Sequence, residues 1–347
     1  MNDKQPIISF CIPSYNRSDM TLLLVNSILC YKGDDIEVIV VDNCSTDNTF
    51  SELKKIDDTR LTITVNKHNL GGPGNMIESL RYGKGVYSFV AFSREEIVTK
   101  EIGPLITFLK ETDYTVIYCC QDTENKENVS FAKGFESLQK IAYKSNHPTG
   151  LIFRNDVLRG VLNHIDSKDA LSIYLYFPHE FLIAESLVNG RLCMYGRVIR
   201  KRVKSEYIRK SISANVLKED DVWFFPKGRE KQLIKYLEHL QRLPIEQSLK
   251  VKIFVDRCRL LLLDSTYAYK SMRENEDTCL HYSTTVKTVS FLEMMRISGQ
   301  IRHDVYELAT KYGFTLTWID RIKISLSKIY VTAYYFYMEL KKLRGNH

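Results

Sequence analysis

The chain has 347 residues, of which 44% are hydrophobic and 26% are charged. This length leaves room for a larger domain with a buried core and a smaller appended domain, and the composition excludes a disordered, collagen-like or many-spanning membrane protein. The formal net charge of +7 favours anionic partners, among which nucleotide diphosphates, phospholipid headgroups and nucleic acid stay open.

The N-terminal residues and the cysteines indicate the compartment. A strand-like run at residues 7–12 follows a short polar start, without the charged and apolar regions of a secretory signal. The eight cysteines lack the paired spacing of a zinc site, and we interpret them as reduced core thiols. We therefore expect a cytoplasmic protein.

Short β-rich runs alternate with helix-like periodicity over the first third of the chain. Strands are predicted at residues 7–12, 36–41, 61–65, 87–92 and 114–119. Helices are predicted at residues 20–30, from about residue 49, and at residues 74–82. This alternation is typical of βαβ units, so we expect an α/β fold with a parallel sheet and with ligands at the carboxyl ends of its strands.

Beyond about Lys204 the pattern becomes helical throughout. Leucines recur on one helical face, and we interpret this stripe as core packing by Leu233, Leu237, Leu240 and Leu243. The sequence therefore predicts a domain boundary here, between an α/β domain at residues 1–204 and a helical domain at residues 205–347.

Small polar residues follow the first two predicted strands, at residues 13–17 and 42–49. An acid at the end of a strand can accept hydrogen bonds from a nucleobase imide or a ribose hydroxyl. Asp42 is the candidate for this role, and its alternative is a helix cap or a turn residue. Asp47 fits a cap better.

These segments, residues 12–17 and 40–49, resemble the N-terminal signatures of family 2 glycosyltransferases of the GT-A fold. Residues 66–75, followed by Gly83 and Gly85, are similar to the asparagine and glycine segment of that family. Several matches in the right order are far more specific than any one of them. The resemblance implies a Rossmann-like GT-A catalytic domain, with a mostly parallel sheet flanked by helices.

The resemblance also implies an enzyme, an inverting glycosyltransferase of the hexosyl or N-acetylhexosaminyl class. Its donor is a nucleotide-sugar, foremost a UDP-sugar. Its acceptor is a glycan or lipid-linked glycan of a bacterial capsule, O-antigen or other surface polysaccharide.

The donor site implied by the resemblance begins with a nucleotide pocket lined by Pro13, Tyr15 and Asp42. Asn69 or Asn75 lies near the donor, and Tyr15 either stacks on the base ring or packs on the sheet. The full set of predicted donor-site residues is Pro13, Tyr15, Arg17, Asp42, Asn69, Asn75, Ser93 and Arg94.

After the fourth strand, the family normally carries an aspartate-rich cluster that holds a divalent cation against the donor diphosphate. Here the acids are Glu95 and Glu96, and Arg94 stands where the first aspartate is expected. Two hypotheses stay open. The glutamates bind Mg²⁺ or Mn²⁺ with their longer side chains, or Arg94 replaces part of the metal's charge on the diphosphate. A solvated helix start is the structural alternative.

An inverting reaction needs a base that deprotonates the acceptor hydroxyl. Pro178 begins a helix-like run that closes at Gly190, which places His179 and Glu180 in the first helical turn. The family uses a carboxylate at this place, so Glu180 is the predicted base, with His179 as the alternative or the orienting partner. A first-turn acid that stabilises the helix is the structural alternative for Glu180.

Basic residues suggest two further phosphate contacts. Arg154 ends the strand-like run at residues 149–154, and it either contacts phosphate or is exposed on an edge strand. A second group either binds the donor diphosphate or a lipid pyrophosphate, or forms a solvated surface. Its members are Arg197, Arg200, Lys201, Arg202, Lys204, Arg209 and Lys210.

The C-terminal stretch at residues 318–343 mixes lysines with an apolar, aromatic centre that is too short to span a bilayer. Basic ends and tyrosines fit a helix that lies in the membrane interface. Packing against the catalytic domain, or against a second copy in a homo-oligomer, is the alternative.

Three other functions compete with glycosyl transfer. A nucleotidyltransferase would carry an early glycine-rich phosphate loop, and residues 12–17 do not form one. An inactive glycosyltransferase-like binding module fits the altered acidic cluster. Nucleic-acid binding is disfavoured because the basic residues are not interleaved with a stacking platform.

Overall fold

The computed structural model describes residues 5–119, 124–144, 146–203, 222–282 and 284–344. Contacts between Cα atoms divide the chain into two units, Met1–Ser211 and Ile212–His347. The boundary predicted at Lys204 lies within residues 204–221, outside the described residues.

Two sheets form the framework of the first unit. The eight strands of the larger sheet are β1 Ile8–Ser14, β2 Ile36–Asp42, β3 Leu61–Val65, β4 Tyr87–Val90, β6 Val116–Cys119, β7 Val129–Phe131, β8 Leu151–Arg154 and β9 Leu192–Tyr195. The smaller sheet consists of β5 Glu95–Ile97 and β10 Arg200–Arg202.

The larger sheet has the strand order β3-β2-β1-β4-β8-β6-β9-β7. Its strands are parallel to their neighbours except β8 and β7, which run antiparallel to theirs. Every residue of β1 is buried, as is typical of a central strand in a sheet with both faces covered. The carboxyl ends of β1, β2 and β4 therefore meet at one edge, where ligands of such sheets bind.

Helices connect the strands of the first unit. They are α1 Ser18–Leu29, α2 Thr49–Leu53, α3 Gly71–Arg81, α4 Ile102–Lys110, α5 Phe135–Ile141, α6 Asn155–Leu162, α7 Ala170–Tyr174 and α8 Pro178–Leu187. Leu24, Val25 and Ile28 form the buried side of α1 and belong to the same hydrophobic core as Phe10 and Phe89. The strands and helices predicted in this region are confirmed, with ends that differ by up to three residues.

The prediction that Arg154 contacts phosphate or is exposed on an edge strand is wrong. It ends β8, which lies inside the sheet between β4 and β6 rather than at its edge. Because β8 is antiparallel to β4, Arg154 lies opposite Tyr87, the first residue of β4. Asp42 lies at the carboxyl ends of the parallel strands, so Arg154 is at the other end of the strands. Its guanidinium donates hydrogen bonds to the carboxylate of Asp156 (2.8 Å) and the carbonyl oxygen of Asp113 (2.7 Å), a structural role.

The described part of the second unit is helical, as predicted. Its helices are α9 Pro226–Arg242, α10 Gln247–Arg273, α11 Glu276–His281, α12 Phe291–Lys311 and α13 Trp318–Arg344. The predicted leucine stripe is buried along α9 and just beyond it. None of the helices in the described parts of the chain combines the length and the apolarity that a bilayer span requires.

Candidate functional site

The loops that follow β1 and β2 are joined into one surface. The backbone N–H of Asn16 donates to the hydroxyl of Ser45 (2.8 Å), and the backbone N–H of Thr46 donates to the side-chain oxygen of Asn16 (2.7 Å). Asn16 and Cys44 both have positive φ, 50° and 61°, a conformation that short polar side chains tolerate best. The two loops therefore support each other before any ligand binds.

Asp47 strengthens this surface. Its carboxylate accepts the backbone N–H of Thr49 (3.0 Å), at the start of α2, and that of Ser18 (3.3 Å), at the start of α1. Both groups belong to first helical turns, whose N–H donors lack partners within the helix. Asp47 is thus the capping residue that the sequence predicted, and it serves two helices.

Asp42 is the last residue of β2 and lies beside Ser14 in the sheet. Only 1% of its surface is exposed, and its carboxylate accepts hydrogen bonds from the hydroxyl and the backbone N–H of Ser45. Burial raises the pKa of Asp42, while the bonds from Ser45 act in the opposite direction. Pro13 is buried beside it on β1, and Tyr15 and Arg17 are half-buried in the following loop.

An asparagine network ties these loops to the segment before α3. The side chain of Asn43 donates to the side-chain oxygen of Asn69 (2.8 Å) and accepts from the side chain of Asn66 (3.0 Å). Asn66 also donates to the side-chain oxygen of Asn75 (2.9 Å). The asparagines of the motif thus bond mainly to one another.

Within this network, Asn75 differs from its predicted role. Only 2% of its surface is exposed, and its amide nitrogen donates to the carbonyl oxygens of Ser14 (3.2 Å) and Val41 (3.1 Å). Because both amide hydrogens are used, Asn75 fastens the ends of β1 and β2 to α3 and has no donor left for a ligand. Asn69 is exposed and remains the candidate for the donor contact.

The two glutamates predicted to share a cation point in opposite directions. They are consecutive residues of β5, and consecutive side chains of a strand lie on opposite faces. Glu96 faces Lys201, with 3.2 Å between the carboxylate oxygen and the ammonium nitrogen. The carboxylate of Glu95 is buried on the other face and is bonded to the guanidinium of Arg200. The prediction of a paired-glutamate ion site is therefore wrong in this geometry.

The face of β5 that carries Glu95 is rich in positive charge. Arg202 lies directly opposite Glu95 in the antiparallel pair, and Arg200 lies two residues before it on the same face. His147 approaches from the segment before β8, with its Nε2 atom 3.9 Å from Oε1 of Glu95. We call Arg94, Arg200 and Arg202 the arginine cluster.

The pKa shifts of Arg200 and His147 show that charged side chains lie close to both. Burial and the charge of Arg202 lower the pKa of Arg200 to about 10. Partial desolvation and the charges of Arg202 and Arg94 lower the pKa of His147 to about 4. At neutral pH the imidazole is therefore uncharged, and the guanidinium groups of Arg202 and Arg94 lie close enough to affect it. Ser93 is buried in the turn that leads to Arg94.

These residues do not fit the divalent cation that the family commonly uses. One observation favours an ion, because Oε2 of Glu95 is buried without a hydrogen-bond partner. However, Oε1 of the same carboxylate is bonded to Arg200, Glu96 faces away, and the nearby charges are positive. Mg²⁺ and Mn²⁺ require several oxygen ligands and a negative environment.

One further group of possible metal ligands occurs among the described residues, in the second unit. It consists of His303, Asp304 and Glu307 on α12. The side chains of His303 and Glu307 are 66% and 71% exposed, and acidic groups on a solvated helix face are common without an ion.

His179 and Glu180 were the predicted catalytic residues, and both are buried. The carboxylate of Glu180 accepts hydrogen bonds from the backbone N–H of Lys144 (3.0 Å) and from the backbone and side-chain N–H groups of Asn146. Nε2 of His179 lies 2.8 Å from the carbonyl oxygen of Asn146, and burial lowers the pKa of His179 to about 4. In this arrangement the pair holds a turn, and both side chains are buried.

Several residues of the site were not identified from the sequence. Arg200 and Arg202 stood out only as part of a basic run, and their pairing with β5 depends on residues 105 positions apart. His147 carried no signal except its place before Pro148, at the entry to β8. Of the other basic residues of the run, Arg197 pairs with Glu101 (2.6 Å) and Lys201 with Glu96. Lys204, Arg209 and Lys210 lie outside the described residues.

Comparison with known proteins relates the N-terminal part of the chain to one family. Residues 9–167 match the model of glycosyl transferase family 2. The chain is 32% identical over 104 residues to UDP-Glc:alpha-D-GlcNAc-diphosphoundecaprenol beta-1,3-glucosyltransferase WfaP of Escherichia coli, a match that covers 30% of this chain and 41% of that protein. It is also 32% identical over 125 residues to abequosyltransferase RfbV of Salmonella typhimurium, covering 34% and 36%. The matches thus span about two fifths or less of these relatives.

Solved structures extend the likeness over the rest of the chain. The structure of S. aureus TarS 1-349 in complex with UDP-GlcNAc aligns with a TM-score of 0.57 at 16% identity, covering 94% of this chain and 91% of that one. S. aureus TarS aligns with a TM-score of 0.60 at 15% identity, covering 94% and 54%. At these identities the likeness concerns the fold, and it confirms the predicted GT-A architecture followed by a helical region. The part of the chain at residues 9–167 is thus similar to glycosyl transferase family 2.

Proposed function

We propose that the chain transfers a sugar from a nucleotide-diphosphate sugar, foremost a UDP-sugar, to a glycan or lipid-linked glycan in bacterial surface-polysaccharide synthesis. The observation that carries the proposal is the preformed surface at the ends of β1 and β2, which holds Asp42 within a family 2 domain. The E. coli relative is named as acting on a diphosphoundecaprenol-linked sugar, and TarS has been solved with UDP-GlcNAc. We propose inversion at the anomeric carbon, as the family implies.

The chemistry of the site supports this choice of donor. The carboxylate of Asp42 is fixed by Ser45, and a carboxylate of this kind can accept an N–H or O–H of the nucleoside. Tyr15, half-buried in the adjoining loop, supplies an aromatic ring that can cover a base. The exposed side chain of Asn69 supplies a contact to the donor.

The exposed face of α13 supports an acceptor at a membrane. Eight large apolar side chains on this helix are exposed: Trp318, Ile319, Ile322, Leu326, Ile329, Tyr330, Phe336 and Tyr337. At 100° per residue they fall within about a third of the helix circumference. A wide apolar face with aromatic residues and a neighbouring lysine, Lys323, is typical of helices that lie in a lipid interface. We therefore propose a cytoplasmic enzyme bound to the inner face of the cell membrane.

One observation favours a second candidate, an inactive binding module of the same fold. The predicted base, Glu180, is completely buried and already accepts three hydrogen bonds, and the acids expected to hold a metal do not converge. Such a module would bind a nucleotide-sugar without consuming it. Mass spectrometry of a UDP-sugar incubated with the protein and a lipid-linked acceptor separates the two, because only an enzyme releases UDP.

Calorimetric titration with uridine nucleotides tests the pocket itself. UDP should bind the wild-type protein, and Asp42→Asn should weaken binding about tenfold or more, because it replaces a charged acceptor while keeping the shape of the side chain. The matched control is Asp57→Asn, an exposed acid outside the site, which should bind UDP as the wild type does. If UDP and the other nucleoside diphosphates all fail to bind, the proposed function is wrong.

A further inference from the structure

The arginine cluster lies where the chain leaves the edge of the larger sheet. Arg94 follows β4 in the turn that leads into β5, and β10 brings Arg200 and Arg202 back to the same place. Pairing in register puts Arg202 opposite Glu95 and Arg200 opposite Ile97. Alternation along the two strands then places both arginine side chains on the face of Glu95, and Lys201 with Glu96 on the other face.

Positive charge exceeds negative charge on this face. The guanidinium groups of Arg200 and Arg202 lie on the face of the single carboxylate of Glu95. Arg94 adds a third positive charge close to His147, which is itself uncharged at neutral pH because its pKa is about 4. Crowding of like charges is visible in Arg200, whose pKa is lowered by burial and by Arg202. An arginine that is 12% exposed and bonded to one carboxylate is already held in position, so binding an anion costs little further ordering.

A diphosphate matches this arrangement in charge and in geometry. It carries two or more negative charges and many acceptor oxygens, and guanidinium groups bind such oxygens in pairs with parallel hydrogen bonds. A divalent cation meets the opposite environment, because its approach would add charge to a cluster that is already positive.

We infer that Arg94, Arg200 and Arg202 bind the diphosphate of the donor and take the place of the divalent cation that the family commonly uses. This inference rests on the proposed function and adds to it how the donor is held. Arg200 is oriented by Glu95, Arg202 is exposed and meets the ligand from the end of β10, and Arg94 closes the site from the turn after β4.

The first test is a calorimetric titration of the wild-type protein with UDP, once in EDTA and once in excess Mn²⁺. The dissociation constants should agree within about threefold, because the protein supplies the positive charge. Loss of UDP binding in EDTA with recovery in Mn²⁺ would overturn the inference.

Single substitutions on the two faces of β10 form a matched pair. Arg202→Ala should weaken UDP binding about 10- to 100-fold, the range expected for losing charge-assisted hydrogen bonds. Lys201→Ala should leave UDP binding unchanged, because Lys201 lies on the other face with Glu96. Equal effects of the two substitutions would show that only general surface charge matters, and an unaffected Arg202→Ala variant would remove the cluster from the site.

Glu95→Gln separates the arginine cluster from a metal site most directly. The glutamine side chain keeps an oxygen for Arg200 and removes the one negative charge on this face, so UDP should bind equally or more tightly. A metal ligand behaves in the opposite way, and its loss would weaken UDP binding in Mn²⁺ at least tenfold. That second result would contradict the inference.

Uridine distinguishes a failure of this inference from a failure of the proposed function. Uridine lacks phosphate, so Arg202→Ala should not change its binding, measured by ligand-observed NMR. If uridine binds but UDP binds no more tightly, the nucleoside pocket stands and the arginine cluster is refuted. If neither binds, and other nucleosides and their diphosphates also fail, the proposed function fails with it.

Discussion

Glu180 and Asn146 are joined by two hydrogen bonds, from the backbone N–H and the side-chain amide of Asn146 (2.8 Å for the latter) to one carboxylate oxygen. The other oxygen accepts the backbone N–H of Lys144. A buried carboxylate needs such donors, because burying a charge without them is costly. The contact fixes the turn that carries His147 toward the arginine cluster, so the structural role of Glu180 reaches the candidate site.

Glu180→Gln should therefore destabilise the first unit. The amide NH₂ of glutamine would face donors at Asn146 or Lys144, which leaves hydrogen bonds unmade at a cost of about 1–3 kcal/mol. We expect the melting temperature in thermal unfolding to fall by several degrees. Glu185→Gln, an exposed glutamate on the same helix, is the matched control and should melt close to the wild type.

The opposite pattern would restore the role predicted from the sequence. If Glu180→Gln melts as the wild type does, binds UDP normally and transfers no sugar, then Glu180 acts as the base after a rearrangement of the turn. Such a split between binding and turnover is the signature of a group needed only in the transition state.

Stability should fall in mild acid because of His179. Burial lowers the pKa of His179 to about 4 in the folded protein, against about 6.5 in an unfolded chain. Between these two values the unfolded chain binds a proton that the folded protein does not, so stability is lost as the pH falls through this window. The loss from this residue between pH 7 and pH 5 should be about 2 kcal/mol.

Chemical denaturation at the two pH values measures this effect. His179→Gln has no imidazole to protonate, so its stability should fall by about 2 kcal/mol less than that of the wild type between pH 7 and pH 5. His164→Gln, at an exposed position of the same unit, should keep the wild-type dependence. Parallel curves for the wild type and His179→Gln would show that the folded protein already carries the proton.

The ends of β1 and β2 were predictable because a buried apolar run changes to small polar residues within one or two positions, as at Asp42. The functions of Asn75 and Glu95 were not, because they depend on distant partners. Asn75 bonds to carbonyl groups 61 and 34 residues away, and Glu95 pairs with a strand 105 residues away. A motif gives the residue type at a position, whereas the direction of its side chain is set by the strand pairing around it.

Asn75→Ala tests the network role of this asparagine. It removes the buried donors for the carbonyl groups of Ser14 and Val41 and the acceptor for the partly buried Asn66. The free energy of unfolding should fall by about 3 kcal/mol, measured by chemical denaturation. Asn69→Ala, in the same motif but exposed, should cost less than about 1 kcal/mol. Equal costs would contradict the division of roles between the two asparagines.

The exposed face of α13 gives the last prediction, on membrane binding. Leu326 and Ile329 lie near its centre, 55% and 62% exposed, so charging them should not disturb the packing of Ile324 and Val331 on the opposite, buried face. Leu326→Glu with Ile329→Glu should lower flotation of the protein with anionic liposomes at least tenfold, since each apolar side chain contributes about 1–2 kcal/mol when it enters lipid. The control is Glu307→Gln with Asp320→Asn, which changes charge outside this face and should not reduce flotation. If the wild type does not float and instead sediments as a dimer that the double glutamate variant dissociates, the face binds a second copy, and the membrane proposal is wrong.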